Sequence, residues 1–268
     1  MTVSQPGPTV SGKRTLGHGI STFSHRFGLT GHTGCVITRT TAFVAGLIVV
    51  AALTAAPASA TPGDPPGALT FGGLQRTYVL HVPPGLQQPA GLVVNLHGAG
   101  QTGAVQAGVT NYNAVADRYG FVVAYPDGID MSWADGRGAS VPDREGVDDV
   151  GFLAALIGQL SRDFGIPPGR VFVTGMSAGA FMANRLACDR ADLVSAVAPV
   201  AGTLGVGVAC NPSRPVSVLA IHGTDDPVVP FAGGPMVGRG GPSEIVSAPA
   251  ARRASTTCAS VPSLKDFP

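Results

Sequence analysis

Short apolar runs separated by turn residues set the rhythm of this chain. Tyr78–Val82, Leu92–Leu96, Phe121–Tyr125 and Val171–Thr174 are such runs, and a fifth, Val216–Ile221, lies beyond Cys210. None alternates apolar with polar residues, which suits strands buried on both faces of a parallel sheet. Between them Val150, Leu153, Ala154, Ile157 and Leu160 recur at helical spacing, with Asp148 and Asp149 at the positive end. That helix stops near Gly165, ahead of Pro167-Pro168. Asn111–Arg118 is a shorter helix candidate and Leu193–Val200 a further buried strand. Gly233–Gly241 reads as a loop, and Ala248–Cys258 shows neither strand alternation nor a helical face. Strands alternating with helices predict an α/β fold, a mostly parallel sheet with helices on both faces and its active edge at the carboxyl ends of the strands.

At one of those ends stands Gly175-Met176-Ser177-Ala178-Gly179. Ala178, Met182 and Leu186 then repeat every four residues, as on one helix face. Strand, G-x-S-x-G, helix is the context of a nucleophile elbow, a turn so tight that only glycines fit beside the serine. The alternative is a plain structural turn. As a nucleophile, Ser177 would need a neighbouring base and hydrogen-bond donors for the oxyanion that forms on the attacked carbonyl. His97-Gly98-Ala99-Gly100 follows the run Leu92–Leu96 directly. Its position, and that of the residue after Ser177, nominate the backbone N–H groups of Ala99 and Ala178 as the oxyanion hole. The side chain of His97 reads as a structural group holding that loop.

The same loop carries a rival pattern. Gly98 to Gly103 matches G-x-G-x-x-G after a strand, and Asp127 stands where a ribose-binding carboxylate would. His97 crowds that turn, a polar Gln101-Thr102 pair opens the helix, and a full nucleophile elbow follows, so no dinucleotide is expected. Downstream, His222-Gly223-Thr224-Asp225-Asp226-Pro227 ends the run Val216–Ile221, which makes Asp225 or Asp226 the candidate acid. No cluster of His, Cys and Asp has the spacing of metal ligands, so neither a metal nor an organic cofactor is implied.

Composition changes the picture at both ends. The first sixty residues hold Lys13, Arg14, Arg26 and Arg39 and no acidic residue. Ala42 to Ala56 is an almost unbroken apolar run, and Ala58-Ser59-Ala60 follows. That is the layout of a secretory signal peptide over 1–60; its length suggests a translation start near Val36. After a Pro/Gly-rich linker over 61–69, residues 70–235 form the predicted domain. Residues 61–268 carry 13 Lys+Arg against 16 Asp+Glu, a net charge of −3, which points to neither a nucleic-acid nor a membrane-surface partner. In an oxidising compartment Cys188 and Cys210 are the favoured pair, leaving Cys258 without a partner.

Leu96–Gly100, Tyr125-Pro126-Asp127-Gly128, Ser132-Trp133-Ala134-Asp135-Gly136, Gly175–Gly179 and Ile221–Pro230, in that order, resemble the extracellular polyhydroxybutyrate depolymerase and feruloyl esterase family of α/β-hydrolases. The resemblance covers about residues 70–235. It implies the α/β-hydrolase fold, Ser177 as nucleophile, Asp226 rather than Asp225 as acid, and a disulfide between Cys188 and Cys210. Related enzymes hydrolyse polyesters, feruloyl or acetyl esters on plant polysaccharides, and small aryl esters. They place the catalytic histidine after the acid, on a loop beyond one further strand. The histidines here are at 18, 25, 32, 81, 97 and 222, and none follows Asp226. The resemblance therefore implies a chain without its final strand and histidine loop, with 236–268 an aberrant or disordered tail. A second class of function, a catalytically inactive protein that binds polyester or polysaccharide, is the alternative.

Overall fold

A computed structural model of the chain describes residues 64–238 and 241–255. The expected export leader over 1–60 and Cys258 lie outside the described residues. Seven strands form one sheet: β1 (Pro66–Phe71), β2 (Leu74–His81), β3 (Leu92–Leu96), β4 (Val122–Pro126), β5 (Val171–Met176), β6 (Ala196–Val200) and β7 (Ser217–Val218). They lie in the order β1-β2-β4-β3-β5-β6-β7. β1 and β2 run antiparallel to their neighbours, and β4 through β7 are parallel.

Helices cover both faces. On one lie α4 (Asp149–Asp163) and α5 (Ala178–Asp189), packed on the strands from β1 to β6. Asp148 caps α4, its carboxylate accepting the Gly151 N–H at 2.7 Å. Phe152, Leu153, Leu156, Ile157 and Leu160 of α4 are buried, each burial stabilising by about 1.5–3 kcal/mol. The stripe is wider than the sequence period indicates, because α4 meets both the sheet and α5. On the other face α1 (Gly103–Thr110) and α2 (Tyr112–Tyr119) cover β2 to β4, burying Ala107, Ala116, Val123 and Tyr125. Asn111 turns the chain between them at φ 52°, a conformation asparagine tolerates. Beyond Val93 and Tyr112 on this side, Phe172, Ala196, Ala198 and half-exposed Leu219 line an apolar cavity of about 420 Å³.

Three expectations need correction. The linker over 61–69 ends early, because Pro66–Phe71 pairs with β2 along its whole length, Pro66 opposite Val79. The run Val216–Ile221 yields only a two-residue strand and a lone bridge from Ile221 to Val200, so the sheet tapers at this edge. The glycine-rich loop and the tail after 235 carry regular structure: β8 (Gly234–Gly238) and β9 (Gly241–Ile245) form a hairpin, followed by α6 (Ala248–Ser255). The outer surface of α5 accounts for this order. Met236 and Ile245 bury against Phe181 and Val229, while Ala251 packs with Cys188 and Leu204. Ser247, whose hydroxyl accepts the Ala250 N–H at 3.3 Å, starts α6 as a cap.

Candidate active site

The elbow forms because β5 and α5 are joined by one residue. Ser177 takes φ 53° and ψ −116°, a conformation an L-residue adopts at a cost of about 1–3 kcal/mol. Surrounding bonds enforce it. The Ser177 N–H donates to Val200 O at 2.9 Å, and Ser177 O accepts from the N–H groups of Ala180 and Phe181 at 2.9 and 3.1 Å. A Cβ at position 179 would stand 2.2 Å from Leu96 O, and one at 175 would stand 2.6 Å from the Gly179 backbone. Only glycine at both positions lets α5 descend this close to β3.

Across from Ser177, the loop after β3 is fixed from below by a buried histidine. His97 Nε2 accepts the Gly128 N–H at 2.9 Å, so the proton resides on Nδ1, which lies 2.8 Å from the Gly98 carbonyl and donates to it. Burial lowers the His97 pKa, opposed by that carbonyl and by the charges of Asp127 and Asp149. Trp133 stacks at a tilt on the imidazole, centroids 4.7 Å apart, and its indole N–H donates to the His97 carbonyl at 2.9 Å. Gly98 N–H donates to Gln101 Oε1 and Gly100 N–H to Met131 O, which leaves Ala99 between them with its own N–H unspent. Ser177, Ala99 and Ala178 line one cavity of about 170 Å³ together with Ser132, Arg137 and Val228.

Asp127 has been taken for another purpose. Its carboxylate accepts the Gly103 N–H at 2.7 Å and the Thr77 hydroxyl at 2.6 Å, and Thr102 caps α1. Both oxygens are thus spent on pinning α1 to β2, and a Cβ at position 103 would stand 2.0 Å from Tyr125 O. The glycine pattern over 98–103 serves close packing of a helix against a strand.

Asp226 and His222 share a turn. Asp226 Oδ1 accepts the N–H groups of Val228 and Val229 at 2.8 and 2.9 Å, which holds its pKa below the usual carboxylate range. His222 Nε2 lies 2.7 Å from the Val229 carbonyl and 3.7 Å from Asp226 Oδ2. That donation ties the imidazole to its own turn, and it lines a separate cavity with Phe231 and Ala248. No histidine among the described residues lines the Ser177 cavity, and Asp226 approaches it only through its neighbour Val228.

The family described as Esterase PHB depolymerase matches residues 76–236, which spans Gly175–Gly179, the loop after β3 and the turn of Asp226. The chain belongs to that family. Feruloyl esterase C of Emericella nidulans is 32% identical over 170 residues, covering 59% of this chain and 58% of the relative. A bifunctional acetylxylan esterase/xylanase, XynS20E, of Neocallimastix patriciarum is 31% identical over 159 residues, 59% of this chain and 22% of the relative. The chain thus spans less than two thirds of the length of either. The crystal structure of a thermostable esterase superposes with a TM-score of 0.53 at 22% identity, over 63% of this chain and 48% of that one, which establishes the α/β-hydrolase fold.

Two buried ion pairs support the site of this PHB depolymerase family member, and sequence patterns flagged neither. Asp149, which the sequence places at the positive end of α4, is buried, accepting from Arg76 at 2.6 Å and from the Ala134 N–H at 2.7 Å. Burial is the main influence on its pKa and raises it, against the opposing bonds from Ala134 and Arg76. Asp135 is likewise buried and grips Arg137 through Nε at 2.8 Å and Nη2 at 2.6 Å. Burial pushes its pKa up too, against Arg137. Arg137 lies over the Phe181 ring at 3.7 Å and faces the Ser177 cavity. The spacing Asp135-Gly136-Arg137 was the available signal, since a carboxylate two residues from an arginine can close a bidentate pair across a glycine turn. Cys188 and Cys210 are disulfide-bonded, Cα atoms 4.7 Å apart, tying the end of α5 to the approach of β7.

Proposed function

We propose that this chain is an exported serine esterase that hydrolyses carboxylic esters by acyl transfer at Ser177. The observation that carries the reading is the strained Ser177 sharing one small cavity with Ala99 and Ala178. Ser177 Oγ attacks the ester carbonyl, the two N–H groups hold the oxyanion, the alcohol leaves, and water releases the acyl group. One such donor contributes about 3 kcal/mol of transition-state stabilisation. Asp226, kept ionised by the Val228 and Val229 N–H groups, has the role of the acid. Among the described residues no imidazole lines the Ser177 cavity, so within them the oxyanion donors and substrate binding carry the catalysis. Its rate is several orders of magnitude below that of a complete serine, histidine and acid set. The substrate is a polyester, or a feruloyl or acetyl ester of a plant polysaccharide; the esterase relatives support ester chemistry in general. Export rests on the basic and apolar leader ending at Ala58-Ser59-Ala60.

Hydrolysis of an aryl butyrate by residues 61–268, beside Ser177→Ala, tests the proposal. A rate that drops to the buffer blank in the variant supports it, and equal rates overturn it. The cavity without a histidine favours a second reading, an inactive binder of polyester or polysaccharide. Retention on insoluble polyester by parent and Ser177→Ala alike, with no hydrolysis by either, would select that reading.

A further inference from the structure

Arg137 has donors to spare. A guanidinium offers five N–H groups on three nitrogens. Asp135 occupies the Nε/Nη2 edge with both carboxylate oxygens. The other edge, Nη1/Nη2, meets only Met236 Sδ, at 3.5 Å from Nη1. A thioether is a weak acceptor, and one N–H on each terminal nitrogen is left over. The side chain is only 7% exposed, so bulk water does not freely satisfy those donors. Phe181 and Asp135 fix the plane of the group. Arg137 and Met236 both line the cavity that holds Ser177, Ala99 and Ala178, and no carboxylate among the described residues lines it.

We propose that the Nη1/Nη2 edge of Arg137 determines specificity by binding a second oxygen function of the substrate, a carboxylate or ester carbonyl a few bonds from the scissile ester. The scissile ester's place in this proposal rests on the reading of Ser177 as nucleophile; the Arg137 contact itself does not. Displacing Met236 Sδ exchanges a weak acceptor for a charge-assisted one, while Asp135 stays paired behind the arginine. Esters of a simple fatty acid forgo that exchange.

Two measurements test this. In the first, kcat/KM is compared for 4-nitrophenyl butyrate, 4-nitrophenyl hemisuccinate and 4-nitrophenyl methyl succinate. The parent should prefer at least one succinate over the butyrate by about tenfold or more, the scale of a hydrogen bond to a charged group. Preference for the hemisuccinate alone identifies a carboxylate, and preference for both identifies a carbonyl oxygen. Met236→Gln supplies an internal amide acceptor to the same edge without unpairing Asp135 and should shrink the preference to near one. An unchanged preference in Met236→Gln, or none in the parent, overturns the proposal. The second measurement serves if the parent hydrolyses nothing. Thermal unfolding of Ser177→Ala is followed with methyl hydrogen succinate, dimethyl succinate or methyl butyrate. A rise in midpoint with a succinate that is absent with butyrate, and absent when Met236→Gln is added, sustains the Arg137 site after the esterase reading has failed. Equal midpoints with all three reject it.

Discussion

Ser177 and His97 illustrate opposite uses of one residue. Ser177 holds a backbone conformation suited to glycine, so Ser177→Gly should raise the unfolding free energy by about 1 kcal/mol in a denaturant titration while removing the proposed nucleophile. A loss of stability instead would mean that the elbow is not strained. His97 is neutral and buried, with a pKa below its ordinary 6.5. An unfolded chain takes up a proton near that value, whereas the folded one refuses it until lower pH. Stability should therefore fall as pH drops through 6.5 and level off below the folded-state value. In His97→Gln this part of the slope between pH 7 and 5 should vanish, and an equally steep slope would assign it to other groups. The backbone roles of Ser177 and of the glycines around it in the elbow were legible because a motif constrains neighbours in sequence. Those of Asp149 and Arg137 were not. Each depends on a partner, Arg76 or Phe181, brought near only by folding, and burial of a charge leaves no local mark.

Among the elements, β3 was read with its observed bounds, since Gly91 and His97 end the apolar run at both sides. Strand β1 was not, because Pro66-Gly67 suggests a linker and its pairing with β2 is visible only in register. The hairpin β8–β9 and helix α6 were missed for a related reason. They have little pattern of their own and take their order from the apolar outer side of α5. The disulfide reinforces that junction. It closes a segment of separation 22 that contains β6, whose Val200 carbonyl holds the Ser177 N–H. Reduction, or Cys188→Ala with Cys210→Ala, should cost about 3 kcal/mol of unfolding free energy. An unchanged denaturation midpoint would show that α6 and the β8–β9 hairpin hold α5 without it.

For the molecule as a whole, the sheet and its helices follow from apolar runs alternating with helical periods, while the cavity beside Ser177 depends on segments distant in sequence. Arg137 and Met236 meet across 99 positions to close it. The one tryptophan of the chain lies under this site, fully buried, its ring against His97 and its indole N–H on the His97 carbonyl. Its emission is therefore a built-in optical reporter of the loop after β3. Circular dichroism averages over every helix and strand instead. Recorded on the same sample during unfolding, the two signals separate local loosening of the floor beneath Ser177 from collapse of the sheet. A red shift of the indole ahead of the dichroic change would mark the loop after β3 as the first part of the protein to admit water.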